Sequence, residues 1–380
     1  MKFPTVIVLW LLALALGITA YFVKFHNSEE ALARTDIAPG ERLFSSLPIR
    51  DIYAVTLTQG EEVTHLTRGE NNVWGIKERD NYTINYELLR DLLGSLNSLE
   101  ITQGYPTSQE YFSRFGLSDE IAKRDAERGY KGAIKVTMLG SKGDQLAEIS
   151  LGKFSGSIRV GGRFVRITGD DSGIYAVAET FPGITANPKD WLGKEFLKID
   201  QMQSIAVTAP ADPNFVNWKL TRENTQSQFS LANMKPNELM KLTSTNTLRN
   251  LFNYSVFRDV LTAKKAAELS EPNEKLKRTA VITTFDGLNY KLEFWPHKPL
   301  PKDPNADDRL PAPAISYNLT VAISVAPSTK LEASTQEKLN AAKAFEGRIF
   351  QISGSIIAPL QKLRSDFSTI SKAPATSLSE

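Results

Sequence analysis

Cysteine is missing from all 380 residues, and histidine occurs only three times. The first absence excludes disulfides, thiolate metal sites, cysteine nucleophiles and a lipid-modified N-terminal cysteine. The second leaves His26, His65 and His297, none at the three- or four-residue spacing that sets two ligands on one helix face. A surplus of charge is also missing. Forty-five basic groups face forty-three acidic ones, for a net +2. That balance generates no long-range field for nucleic acid, and no lysine–arginine cluster interleaves with aromatics.

Only one long apolar run is present, from Val6 to Val23. Eighteen helical residues extend roughly 27 Å, near the ~30 Å hydrocarbon core of a bilayer. With Lys2 before it and Lys24 behind, the run predicts a single transmembrane helix over 6–23, after a short cytoplasmic end at 1–5. A cleaved signal peptide is the competing reading. The run is longer than a signal core, and bulky Tyr21-Phe22-Val23 follows Ala20. This places the expected protein in the bacterial cytoplasmic membrane, N-terminus inside and bulk extracytoplasmic.

The rest is too long for one ordinary core and predicts two similar α+β domains of antiparallel strands with packed helices. A stalk over 24–47 leads to a first domain at 48–197. A second spans 198–367, with a proline-rich insertion at 296–314, and a flexible tail occupies 368–380. In the first, Ile52 to Leu57, Val63, Leu66 and Val73-Trp74-Gly75-Ile76 form a meander with polar turns between. Asn85 caps a helix presenting Leu88, Leu89, Leu92, Leu93, Leu96 and Leu99. A short helix from Ser108 to Phe115 stops at Gly116, and strands resume from Ala133 to Ala178.

The second half repeats this order about 145–160 residues later. Ile199 to Val207 stands for Ile52 to Leu57, Trp218 for Trp74, Leu248 to Phe252 for Leu89 to Leu93, and Thr279 to Thr284 for Gly132 to Thr137. Helix is expected from Thr335 to Phe350 and again over Ile356 to Phe367.

Reacting constellations are scarce. Asp303, Asp307 and Asp308 with Asn305 lack the glycine-pinned geometry of a calcium loop and read as solvated. Asp170-Asp171 before Ser172-Gly173 reads as a hairpin turn. Gly161-Gly162 could bind an anion, but strand residues follow where a phosphate cradle needs a helix, so a tight hairpin is the better account. No catalytic, cofactor-binding or metal-ligating residue is nominated, and the chain is read as not an enzyme. Trp74 and Trp218 are assigned to the cores.

The anchor, Ile52 to Leu57, Val73-Trp74-Gly75-Ile76, Phe115-Gly116-Leu117, Gly173 to Val177 and Trp191 to Ile199 together resemble a family of uncharacterised bacterial single-pass membrane proteins. Its members carry repeated extracytoplasmic domains, often beside ABC-type transporters like those of gliding motility. A proline common after the glycine–leucine pair is replaced here by Ser118-Asp119-Glu120-Ile121. The resemblance implies a non-enzymatic accessory or scaffold subunit, with a multispanning permease and an ATPase as partners. The alternative is a module binding peptidoglycan or another envelope polysaccharide, through a groove lined by aromatics such as Tyr105, Tyr111, Trp191 or Trp295.

Overall fold

The structure is a computed structural model. It describes residues 37–118, 121, 123–156, 161–168, 173–249, 251–253, 255–262, 264–265, 274–297, 316–327 and 331–370. The chain divides between Gly193 and Lys194 into two compact units.

The first unit opens as a meander of β1 (Ala54–Gln59), β2 (Glu62–Arg68), β3 (Trp74–Ile76) and β4 (Tyr82–Thr83). Alternation drives it: Val55, Leu57 and Leu66 are fully buried while their neighbours stay partly wet. A two-residue turn joins β1 to β2, and Gly60 supplies its positive φ of 58°. Helix α1 (Tyr86–Asn97) starts where the Asn85 side chain accepts the Leu88 N–H. It buries Leu89, Leu92, Leu93 and Leu96, each such side chain being worth about 1.5–3 kcal/mol.

After β5 (Ile101–Tyr105) come α2 (Gln109–Phe115) and α3 (Lys123–Glu127). Ser108 caps α2, and Gly116 ends it at φ 69°, with the Leu117 N–H donating back to the Phe112 carbonyl. Strands β6 (Ile134–Leu139), β7 (Gln145–Phe154), β8 (Arg163–Ile167) and β9 (Ile174–Val177) complete the unit. The order across its sheet is β4-β3-β2-β1-β6-β7-β8-β9-β5. Thus β5 lies beyond β9, and the chain carrying α2 and α3 crosses the sheet before β6.

The second unit contains β10 (Met202–Thr208), β11 (Trp218–Thr221), β12 (Ser230–Leu231), β13 (Glu238–Met240) and α4 (Asn246–Arg249). It continues with β14 (Phe257–Leu261), β15 (Arg278–Thr284), β16 (Leu288–Pro296) and β17 (Ser316–Val325). Last come α5 (Ala333–Lys343), β18 (Ile349–Ser353), α6 (Gly354–Ile357) and β19 (Ser368–Ile370). Its main sheet runs β12-β11-β10-β15-β16-β17-β18-β14, and β13 pairs with β19 in a separate ribbon. Reading each order outward from β1 and β10 gives one topology twice, with β14 taking the place of β5 and β4 as an added edge strand in the first sheet. Both units are β-sheet-rich with packed helices.

Several expectations need correction. Among the described residues no helix is long and apolar enough to cross a membrane, and the run 6–23 lies outside them. The single-pass anchor and the cytoplasmic-membrane location rested on that run, the permease and ATPase partners on a resemblance that included it, and none is carried further. Residues 37–47 of the expected stalk belong to the first unit. Gly40 N–H donates to the Ile101 carbonyl, Leu43 N–H to the Leu99 carbonyl, and Leu43 and Leu47 are buried on the first unit. The helix expected over 335–350 ends at Lys343, because Phe350 belongs to β18 and is fully buried. The expected tail begins with a strand, β19, while 371–380 and most of the proline-rich insertion lie outside the described residues. Trp218 sits on β11, which takes the place of β2, so it does not match Trp74 on β3.

Candidate functional site

Strands β1, β6, β7 and β8 are neighbours, each antiparallel to the next. One end of this group therefore collects the last residues of β1 and β7 with the first of β6 and β8. Gln59, Lys131, Phe154 and Arg163 meet there with Gly129, Tyr130, Gly152 and Lys153, around a cleft of about 280 Å³. Gln59 fastens its rim by donating to the Gly132 carbonyl at 2.9 Å.

The C-terminus of α2 borders the site, where helix carbonyls lack intrahelical partners. Two cleft residues supply donors: Tyr130 Oη–H to the Gly116 carbonyl at 2.7 Å, and Lys153 Nζ to the Arg114 carbonyl at 3.3 Å. Lys153 also pairs with Asp125 of α3 at 2.6 Å and lies 5.4 Å from the Tyr130 ring centre. Its hydrogen bond holds the Asp125 carboxyl below the ordinary carboxylate range. Burial pushes the Tyr130 phenol up to about 12, so it remains a neutral donor. Lys131 pairs with Glu62 at 3.3 Å across a solvent-exposed gap.

Arg163 is the interior wall. Its residue is only 6% exposed. Nε–H donates to the Gly152 carbonyl at 2.9 Å and Nη1–H to the Thr180 carbonyl at 3.4 Å, while the guanidinium carbon lies 5.1 Å from the Phe154 ring centre. Burial lowers its pKa to about 10, which leaves it charged at neutral pH. Strand alternation turns Phe164 to the other face, where it stacks on Phe115 at 3.9 Å.

None of the four aromatics expected in a groove lines this cleft. Trp191 is fully buried and donates Nε1–H to the Thr185 carbonyl, so it is core. Tyr105 and Tyr111 pack against Phe115 at 4.8 and 5.4 Å. Trp295 belongs to the second unit, with the Lys277 ammonium 6.0 Å from its ring centre. Trp74 and Trp218 are buried. The cleft aromatics Tyr130 and Phe154, and Arg163 itself, escaped the sequence reading. A signal for Arg163 was present: an arginine directly after Gly161-Gly162, alternating with a core valine, Val165.

His65 on β2 meets Glu78 at 2.5 Å, and His297 faces Asn318 and Gln351. His26, Asp170-Asp171, Asp303, Asn305, Asp307 and Asp308 lie outside the described residues. Among the described residues no group of three or more histidine, cysteine, aspartate or glutamate side chains is arranged to hold a metal ion.

No curated protein and no solved structure matches the chain. Residues 74–274 match the family described as "Domain of unknown function (DUF4340)", a span that includes every cleft residue except Gln59. This replaces the resemblance to a single-pass membrane family, since among the described residues no helix is long and apolar enough to cross a membrane. Because that span exceeds half of the 380 residues, the protein belongs to the DUF4340 family.

Proposed function

We propose that the chain is a non-enzymatic binding module for an envelope polysaccharide or peptidoglycan, with the cleft of the first unit as its contact. One observation carries the reading: the cleft joins two aromatic rings, Tyr130 and Phe154, to the side-chain donors of Gln59, Lys131, Lys153 and Arg163. A pyranose presents a C–H face that packs on a ring and hydroxyls that take such donors. Phe154 is 39% exposed, which leaves ring surface free for a sugar. At about 280 Å³ the cleft suits one residue of a glycan, with the chain continuing outside it.

Co-sedimentation of the full chain with purified cell-wall glycan tests this. Retention is expected, and Phe154→Ala weakens it about tenfold by removing the exposed ring, equivalent to roughly 1.4 kcal/mol. No retention on any wall glycan overturns the proposal.

A further inference from the structure

A buried charge is costly unless an opposite charge accompanies it. Arg163 is more than nine-tenths buried, yet among the described residues it meets no carboxylate. Its two partners, the Gly152 and Thr180 carbonyls, satisfy N–H groups without cancelling the charge. A guanidinium has five N–H donors, so its two bonds to described residues leave three for other partners.

The neighbouring cations do not share this condition. Lys131 has Glu62 and Lys153 has Asp125, each pair closed on itself. The cleft thus holds one positive charge without a carboxylate counterpart among the described residues. Such a site is matched by a singly charged anion. A phosphate monoester, at about −1.5 to −2 near pH 7, overcharges it. A carboxylate offers two oxygens in one plane, the arrangement the arginine fork binds in bidentate fashion.

We infer that the cleft is a subsite for one carboxylate of an acidic sugar, received by Arg163, with the sugar ring lying toward Phe154. This rests on the polysaccharide reading and sharpens it. A phosphodiester also carries one negative charge, but it joins two units, and the cleft holds about one.

Calorimetric titration of the full chain with methyl glucuronoside, methyl glucoside and dimethyl phosphate separates these cases. The glucuronoside is expected to bind at least about tenfold tighter than the glucoside, and to weaken as salt rises. Arg163→Met abolishes that preference, Arg163→Lys retains only part of it, and Lys219→Gln, an exposed position on β11 of the second unit, changes it less than about twofold. Should neither Arg163 variant fold, the wild-type ratio of glucuronoside to glucoside decides by itself. Equal binding of the two sugars, or an undiminished preference in folded Arg163→Met, overturns the inference. Tighter binding of dimethyl phosphate overturns the carboxylate assignment in favour of a diester. Retention on a neutral glycan without acid preference removes the anion subsite and keeps the polysaccharide reading. Binding of the glucuronoside without retention on any glycan does the reverse.

Discussion

Gly162 is the residue on which the placement of Arg163 depends. A Cβ there would fall 1.5 Å from the Val177 carbonyl oxygen, well inside contact distance with β9. The Gly162 N–H also donates to Ser155 Oγ at 3.0 Å, tying the start of β8 to the end of β7. Gly162→Ala is expected to destabilise the chain by about 2–4 kcal/mol, because backbone must shift to admit the methyl group. Urea denaturation measures that cost, and the folded fraction should lose its acid-sugar preference as Arg163 moves. Trp191 is the contrasting case. Its burial and its bond to Thr185 predict that Trp191→Ala costs about 3–5 kcal/mol in thermal or urea melts. Glycan affinity of the remaining folded protein should not change. An aromatic residue looks the same in sequence whether it is a platform or a core piece, so only burial separated Trp191 from Phe154.

At the scale of elements, the capped leucine helix and the meander were legible because periodicity and caps are local. Asn85→Ala removes the acceptor for the Leu88 N–H and is expected to cost about 1 kcal/mol, read from the shift of the denaturation midpoint. The β13–β19 ribbon was not legible, because its strands are three residues each and more than a hundred residues apart. A paired set of hydrogen bonds from Arg364 to Glu238, at 2.6 and 2.9 Å, fixes it beside the register. Those bonds hold the Glu238 carboxyl down at about 2, against an ordinary value of 4.5. A depressed pKa stabilises the fold fully above the ordinary value, and the contribution disappears as pH falls from there through about 2. Carboxyl carbon titration by NMR should therefore place Glu238 near 2 in the wild type. In Arg364→Gln the same carbon should titrate back toward 4.5, and a Glu238 resonance unmoved by that change would falsify the role given to the pair.

For the whole molecule, the repeated strand order shows what was duplicated and what was not. The topology recurs from β10 to β18, but β17 opens on Ser316 where β8 opens on Arg163. The second unit keeps the strand order, with a serine in place of an arginine at the opening of β17. Hydrogen exchange with methyl glucuronoside present should therefore slow amides at the ends of β7 and β8 and leave those of β16 and β17 unchanged. Trp295→Ala should be neutral for binding by the same reasoning. Equal protection in both units would locate recognition in the shared framework, away from Arg163.

Local physics in the sequence determined the two sheet-and-helix units, the α1 and α2 caps, and the assignment of Trp74 and Trp218 to cores. These follow from side-chain period, chain-entropy limits at turns, and apolar content within short windows. Position in a sheet is a different kind of fact. Gln59 and Arg163 lie about a hundred residues apart, and only the order β1-β6-β7-β8 brings their strand ends together. Whether a cation is paired likewise depends on distances between segments. Glu62 reaches Lys131 and Asp125 reaches Lys153, and nothing in the linear order shows that Arg163 is the one left over. That remainder, one buried positive charge at the mouth of four strands, was decided by tertiary structure alone.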